Sequence, residues 1–208
     1  MKKGIITMFA FASLFIVACG GGETEEVVVE EVVAENAIYY ADVNASEVNW
    51  RGEVAGVYGH EGYVNLQSGM IEMAGDEIIG GEFAVDMSAF YPTDTASYKD
   101  VDGGRITDLQ NHLTQEDFFA SATYPVATFQ VTEVNGKALT GELTVRGKTS
   151  TETFNITKLE KTMNGISMSG TLVFDRQKYD VAWVHFMKDM ILSDDISIKV
   201  NLLASTKL

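Results

Sequence analysis

Few side chains in this chain could do bond-making chemistry. Its 208 residues include three histidines, His60, His112 and His185, and one cysteine, Cys19. A histidine beside a carboxylate can move a proton or hold a polar head group, and two such neighbourhoods exist: His112 with Asp117, and His185 with Asp189. The plainer expectation for these histidines is a solvated or capping role. Metal chemistry has no matching spacing, because neither H-E-x-x-H nor paired C-x-x-C occurs. Nucleophilic chemistry lacks a G-x-S-x-G turn. The glycines of "GEVAGVYGHEG", Gly52 to Gly62, lack the strand-to-helix setting that phosphate binding requires, and read as bends. Asp194 and Asp195 are adjacent and on a strand would point apart. The residues make no case for an enzyme or for a cofactor, and binding becomes the leading expectation.

Cys19 has a different setting. "MKKGIITMFAFASLFIVAC" pairs a charged start, Lys2 and Lys3, with an apolar stretch from Ile5 to Val17, shorter than the ~20 residues of a membrane span. The small Ala18 before Cys19 resembles a lipobox, in which the signal is cleaved and the cysteine acylated, palmitate being the expected type of chain. Residues 1–18 are therefore expected to be a lipoprotein signal, with lipid attachment and membrane contact at Cys19. Residues 19–36, rich in Gly and Glu, read as a flexible acidic tether, although Val27 to Val29 could build a short helix or strand. Acidic residues after the cysteine resemble surface-export signals of Gram-negative lipoproteins. Gly20 differs from the aspartate of inner-membrane retention, so the expected location is a Gram-negative outer membrane, facing the periplasm or the cell surface.

A formal charge of −15 argues against nucleic acid and against an electrostatic grip on anionic lipid. With a single cysteine no intramolecular disulfide forms, and stability must come from burial. Residues 37–208 suffice for one domain with a sizeable core.

From Ala37 onward the dominant period is two. In "DISIKVNLLA", Ile196, Ile198, Val200 and Leu202 share one face; in "GISMSGTLVFD", Ile166, Met168, Leu172 and Phe174 do. Asn135-Gly136 and Asn164-Gly165 mark tight hairpins, and Gly170 a bend or close approach. Further strands are expected at 37–43, 48–55, 62–68, 77–87, 126–134, 138–146 and 151–158. Short linkers favour an antiparallel meander, best freed of open edges by closure into a barrel; a two-sheet sandwich is the alternative. The one long interruption, Ser88 to Tyr124, contains Ile106, Leu109 and Leu113 at helical spacing, with Thr107 or Asp108 as cap. Phe118 and Phe119 follow it, and adjacent rings cannot both face one flat wall, so one is expected to look into a second apolar space. Met70, Met73, Met87, Met163, Met168, Met187 and Met190 suit either core packing or an adaptable guest.

Five segments, in this order and spacing, resemble the YceI-like polyisoprenoid-binding proteins from Ile38 to Ala204: "GGEFAVDM", "HLTQEDFF", "YPVATF", "GELTVRGKT" and "FDRQKYDV". The resemblance implies an all-β fold: a lipocalin-like antiparallel β-barrel of about eight strands with a short helix and a long loop between strands. It also implies a long isoprenoid or similar amphiphile in the lumen, with a quinone or a polyprenyl phosphate as candidates, held outside the cytoplasm for storage, transport or protection. Residues expected to contact such a ligand are Trp50, Phe83, His112, Phe118, Phe119, Phe129, Leu143, Val145, Arg146, Met168, Phe174 and Trp183. Arg176 is a further head-group donor, though beside Asp175 a structural hydrogen bond is the stronger expectation. The alternative function is a structural or protein-interaction module with a filled core; a third has His112 and Asp117 act on a bound head group. Protein partners, a homodimer among them, stay open.

Overall fold

In the computed structural model, residues 35–54, 58–101, 103–162, 165–184 and 191–206 are described. Cys19, His185, Asp189, Met163, Asn164, Met187 and Met190 lie outside them, as do the expected signal and nearly all of the tether. The strands are β1 (Asn36–Ala41), β2 (Glu47–Val54), β3 (Tyr58–Ala74), β4 (Glu77–Pro92), β5 (Val126–Asn135), β6 (Ala138–Val145), β7 (Lys148–Thr162), β8 (Gly165–Asp175) and β9 (Leu192–Ser205). Among the described residues one α-helix, α1 (Ile106–Thr114), interrupts them between β4 and β5.

Every pairing is antiparallel, and β3 bonds to both β2 and β4, so β2 to β9 close into a ring of eight. The ninth strand does not widen that ring. β1 pairs with β3 at Tyr39↔Ile71 and with β9 at Ala41↔Ala204, whereas β2 pairs with the same two strands at Val48↔Val64 and Glu47↔Asn201. β1 and β2 thus occupy one position of the barrel in succession. The architecture is the closed antiparallel barrel that the alternation and the family resemblance imply, rather than a sandwich.

Two strands outrun the alternation. β3 and β4 extend well past the expected 62–68 and 77–87, because their pairing shifts register between Tyr63 and Asn65, Leu66 and Ser68, and Glu72 and Met73. Each irregularity resets the inside–outside order while leaving the ladder intact, so the period of two breaks where the strand does not. Ser88 to Pro92 accordingly belong to β4, and the non-strand insertion begins at Thr93. Within it, the N-cap of α1 is Arg105 and not Thr107 or Asp108; Asp108, the third helical residue, is the capping-box partner, accepting the Arg105 backbone N–H at 2.9 Å.

One end of the barrel is filled. Tyr39, Ile71, Met73, Ile78, Ile166 and Leu202 are all buried there. The hairpin at Asn135-Gly136 lies at that end, with Gly136 at φ +58°, as a tight turn requires. The opposite end, where β2 passes to β3, β4 to β5 and β8 to β9, receives α1 and residues 181–184.

Gly170 is a close-approach site. A Cβ placed there would sit 2.3 Å from Phe154 Cζ and 2.6 Å from the Asn155 carbonyl oxygen. Gly170→Ala is expected to cost about 2 kcal/mol in denaturant unfolding, in the range for an overpacked core. Adding Phe154→Leu should restore only part of the loss, because the backbone contact remains.

Candidate functional site

The inward faces of the strands surround a cavity of about 950 Å³. Its wall is built by the alternation itself: Leu143 and Val145 of β6 face it while Glu142 is exposed and Thr144 half-buried, and Ile196, Ile198 and Val200 of β9 face it while Ser197 is half-buried and Lys199 exposed. Met168, Leu172 and Phe174 of β8 and Phe83 and Phe129 of the paired β4 and β5 complete that side. Of the seven methionines singled out from the sequence, Met87 and Met168 reach the cavity, whereas Met73 is buried among the residues that close the far end.

An arc of rings covers the other side. Trp50 meets Phe90 edge-on at 6.2 Å, Phe90 stacks on Phe119 at 5.2 Å, Phe119 meets Phe118 at 4.9 Å, and Phe118 meets His112 at 5.3 Å. Trp183 lies 4.7 Å beyond His112. Phe118 and Phe119 both line the cavity and both are buried, so the two rings share one apolar space instead of looking into two. The chain leaves α1 as a curved segment instead of continuing the helix or forming a strand. The Phe118 N–H donates to the Gln115 carbonyl and the Phe119 N–H to that of Leu113, and this curvature lets neighbours face one concave space.

Trp50, Phe83, His112, Phe118, Phe119, Phe129, Leu143, Val145, Met168, Phe174 and Trp183 are thus brought together on one wall. Arg146 is not, which corrects the expectation for it. It sits at φ +50° in the β6–β7 turn beside Gly147 at φ +69°, and that turn carries its side chain away from the lumen. Its guanidinium donates to the Glu116 carbonyl at 2.6 Å and to the Asp180 carbonyl, joining two loops. Arg176 makes the structural bonds expected of it. It is buried, donates to the carbonyls of Ser193, Val181, Trp183 and Leu192, and pairs with Asp194 at 3.0 Å.

Polar groups gather at the mouth. His60 Nδ1 lies 2.9 Å from Asp94 Oδ2, and the Tyr98 hydroxyl donates to Asp94 Oδ1 at 3.0 Å. Burial works to raise the Asp94 pKa, but the bonds from His60, Tyr98 and Ser97 outweigh it and hold the carboxyl below its usual range. Burial, reinforced by Asp94, pushes the Tyr98 phenol up. Sequence reasoning missed this cluster. Asp94 and Tyr98 stand four residues apart in a short 3-10 turn, a local signal, but only the fold brings His60 to them.

His112 is a second polar point. Its Nε2 is buried without a hydrogen-bond partner among the described residues. Burial lowers its pKa, and the charge of Asp117, also on the cavity wall, only partly opposes this. Among the described residues, no group of three or more His, Cys, Asp or Glu side chains is arranged to hold a metal.

A profile of the YceI-like domain matches residues 39–204. The chain belongs to the YceI-like family. Among solved structures it is similar to Burkholderia cenocepacia BcnA, with a TM-score of 0.63 at 21% identity over 79% of this chain and 99% of that one. It is also similar to a protein described as a polyisoprenoid binding domain from Saccharophagus degradans implicated in plant cell wall breakdown, with a TM-score of 0.55 at 16% identity over 82% and 99%. At these identities the likeness establishes the fold. Curated relatives include the UPF0312 protein SERP2314 of Staphylococcus epidermidis, 34% identical over 80 residues, and SAB2563 of Staphylococcus aureus, 31% identical over 77. Those matches cover 36% and 34% of this chain and 47% and 45% of the relatives, so the chain spans about half the length of each.

These relatives correct the expected Gram-negative outer-membrane location. They come from Gram-positive staphylococci, which have no outer membrane. The expectation rested on residues close to Cys19, outside the YceI-like domain, and nothing in the domain ties it to an outer membrane.

The buried, lowered His112 makes stability pH-dependent. Because the unfolded chain takes up this proton more readily than the folded one, stability is lost as pH falls below about 6.5. His112→Phe should flatten that part of a melting-temperature profile and, by removing an unpaired buried nitrogen, leave stability at pH 8 unchanged or raised by about 1 kcal/mol.

Proposed function

We propose that this chain binds a long isoprenoid or similar amphiphilic lipid, tail first, in the barrel lumen, and that it does so outside the cytoplasm while held at a membrane through an acylated Cys19. Storage, transport or protection of the lipid is its role, and binding rather than catalysis is its activity. The observation carrying this reading is the hollow interior, about 950 Å³ behind a wall of apolar and aromatic side chains. Such a volume stands near the upper end for small-molecule sites, roughly 300–1,000 Å³. Membership of the YceI-like family and the likeness to a structure described as polyisoprenoid-binding support the choice of guest.

The energetics agree. Each methylene removed from water is worth about 0.8 kcal/mol, so a prenyl tail gains a large driving force with no charged contact, against the cost of ordering a flexible chain. A filled-core interaction module would leave no such volume. The residues on the wall, from Trp50 to Trp183, are the proposed ligand contacts, and residues 19–36 the proposed tether.

Organic extraction of the purified full chain followed by mass spectrometry should recover a stoichiometric amphiphile. Leu143→Asp or Val145→Asp puts a carboxylate on the apolar wall and should abolish uptake of added isoprenoid or destabilise the fold by about 2 kcal/mol or more, whereas Glu142→Gln and Thr144→Asp should change neither. Recovery of no lipid, together with no uptake of added isoprenoid by the wild type, would refute the reading.

A further inference from the structure

The cavity wall is apolar except near the mouth, where the polar atoms form a defined arrangement. His60 Nδ1 faces Asp94 at 2.9 Å and the Tyr98 hydroxyl oxygen at 3.1 Å. Its ring is stacked on Tyr98 at 5.5 Å and met edge-on by Tyr58 at 5.3 Å. An ionised Asp94, which also accepts from Tyr98, can only accept from His60, so it fixes the imidazole proton on Nδ1. In the neutral ring Nε2 is then an acceptor. It has no protein partner among the described residues, and His60 lines the cavity.

Charge on the cavity wall discriminates further. Asp108 and Asp117 line the same cavity as His60, and Asp94 is bonded to the His60 ring. Arg105 is the lone guanidinium on the wall among the described residues, and its Nε is already paired with Asp100 at 3.0 Å. A phosphorylated head would therefore meet several carboxylates and one engaged cation. A hydroxyl carries no charge and donates the hydrogen bond that Nε2 lacks.

From this geometry we propose that His60, held by Asp94 and Tyr98, is a head-group subsite for a lipid alcohol, and that the mouth selects against phosphorylated lipids. This rests on the lipid-binding reading above and names the chemical class of the guest. His60 is the contact residue; Asp94 and Tyr98 are positioning residues. The acceptor at the mouth and the apolar, closed far end together set the direction of entry.

The protein contains its own probe, because its two tryptophans, Trp50 and Trp183, both line the cavity. Quenching of their fluorescence in the full-length protein at pH 8 would be titrated with geranylgeraniol, geranylgeranyl diphosphate and the corresponding hydrocarbon without oxygen. The alcohol should bind about five- to tenfold more tightly than the hydrocarbon, the gain of one well-placed hydrogen bond, and at least about tenfold more tightly than the diphosphate. His60→Phe should remove the alcohol's advantage over the hydrocarbon. Asp94→Asn, which frees the tautomer without altering Nε2, should reduce the same advantage and serves if His60→Phe misfolds. The head-group assignment fails if alcohol and hydrocarbon bind alike, if the diphosphate binds as well as the alcohol, or if the variants weaken all ligands equally. If none of the three quenches, the lipid-binding reading itself fails, and the assignment with it.

Discussion

Closure of the ladder is the constraint on which the rest depends. Because β3 bonds to β4 as well as β2, no strand of the ring has to hide an edge, and the backbone alone fixes the diameter. A core held together only by side-chain packing would collapse on a void of this size. On the linear scale for cavities left by core truncation, about 24 cal/mol per Å³, an empty dry space of about 950 Å³ would cost on the order of 20 kcal/mol. That exceeds the whole stability of an ordinary domain, about 5–15 kcal/mol. The lumen is therefore a space that water or a guest must occupy, and an apolar wall is a poor host for water.

The two ends of the barrel divide the work. At the far end β1 replaces β2 in the ring, and Tyr39, Ile71, Met73 and Leu202 are buried there without lining the cavity. At the mouth the covering elements are joined by arginines whose guanidiniums bind carbonyl oxygens: Arg146 links the segments at Glu116 and Asp180, and Arg176 links the 3-10 turn after β8 to residues 181–183 and the start of β9. Both hold the loops that place Trp183 and the Phe pair against the cavity, so these two charges act as scaffold, and the charged side chains on the wall among the described residues are Arg105, Asp108 and Asp117.

What the sequence made legible follows from this division. Leu143 and Val145, or Ile196 and Ile198, could be placed inward because a strand in a one-sided sheet has only two faces, and the period of two survives wherever the ladder is regular. It was lost in β3 and β4, where register shifts reset the order, and those strands were accordingly read too short. The family motifs located the barrel from Ile38 to Ala204, close to the matched residues 39–204. They could not locate Arg146, whose fate was decided by a turn at positive φ rather than by its neighbours on the strand. Gly20 and the acidic residues after Cys19 suggested a Gram-negative outer membrane, which the staphylococcal relatives lack.

The polar mouth was illegible for a deeper reason. His60 and Asp94 are separated by a whole hairpin and become partners only because β3 and β4 lie side by side and the insertion after Pro92 turns back over β3. The Thr93 N–H donates to the Glu61 carbonyl at 2.8 Å, which pins that return. Local sequence shows a turn and an isolated histidine between glycines; the ring converts them into a fixed acceptor. A hydrophobic sleeve grips any tail of suitable length, since the free energy scales with buried methylenes and is blind to what the tail carries. Discrimination among lipids that share a tail must therefore come from the mouth, where one hydrogen bond or one misplaced charge changes affinity several-fold.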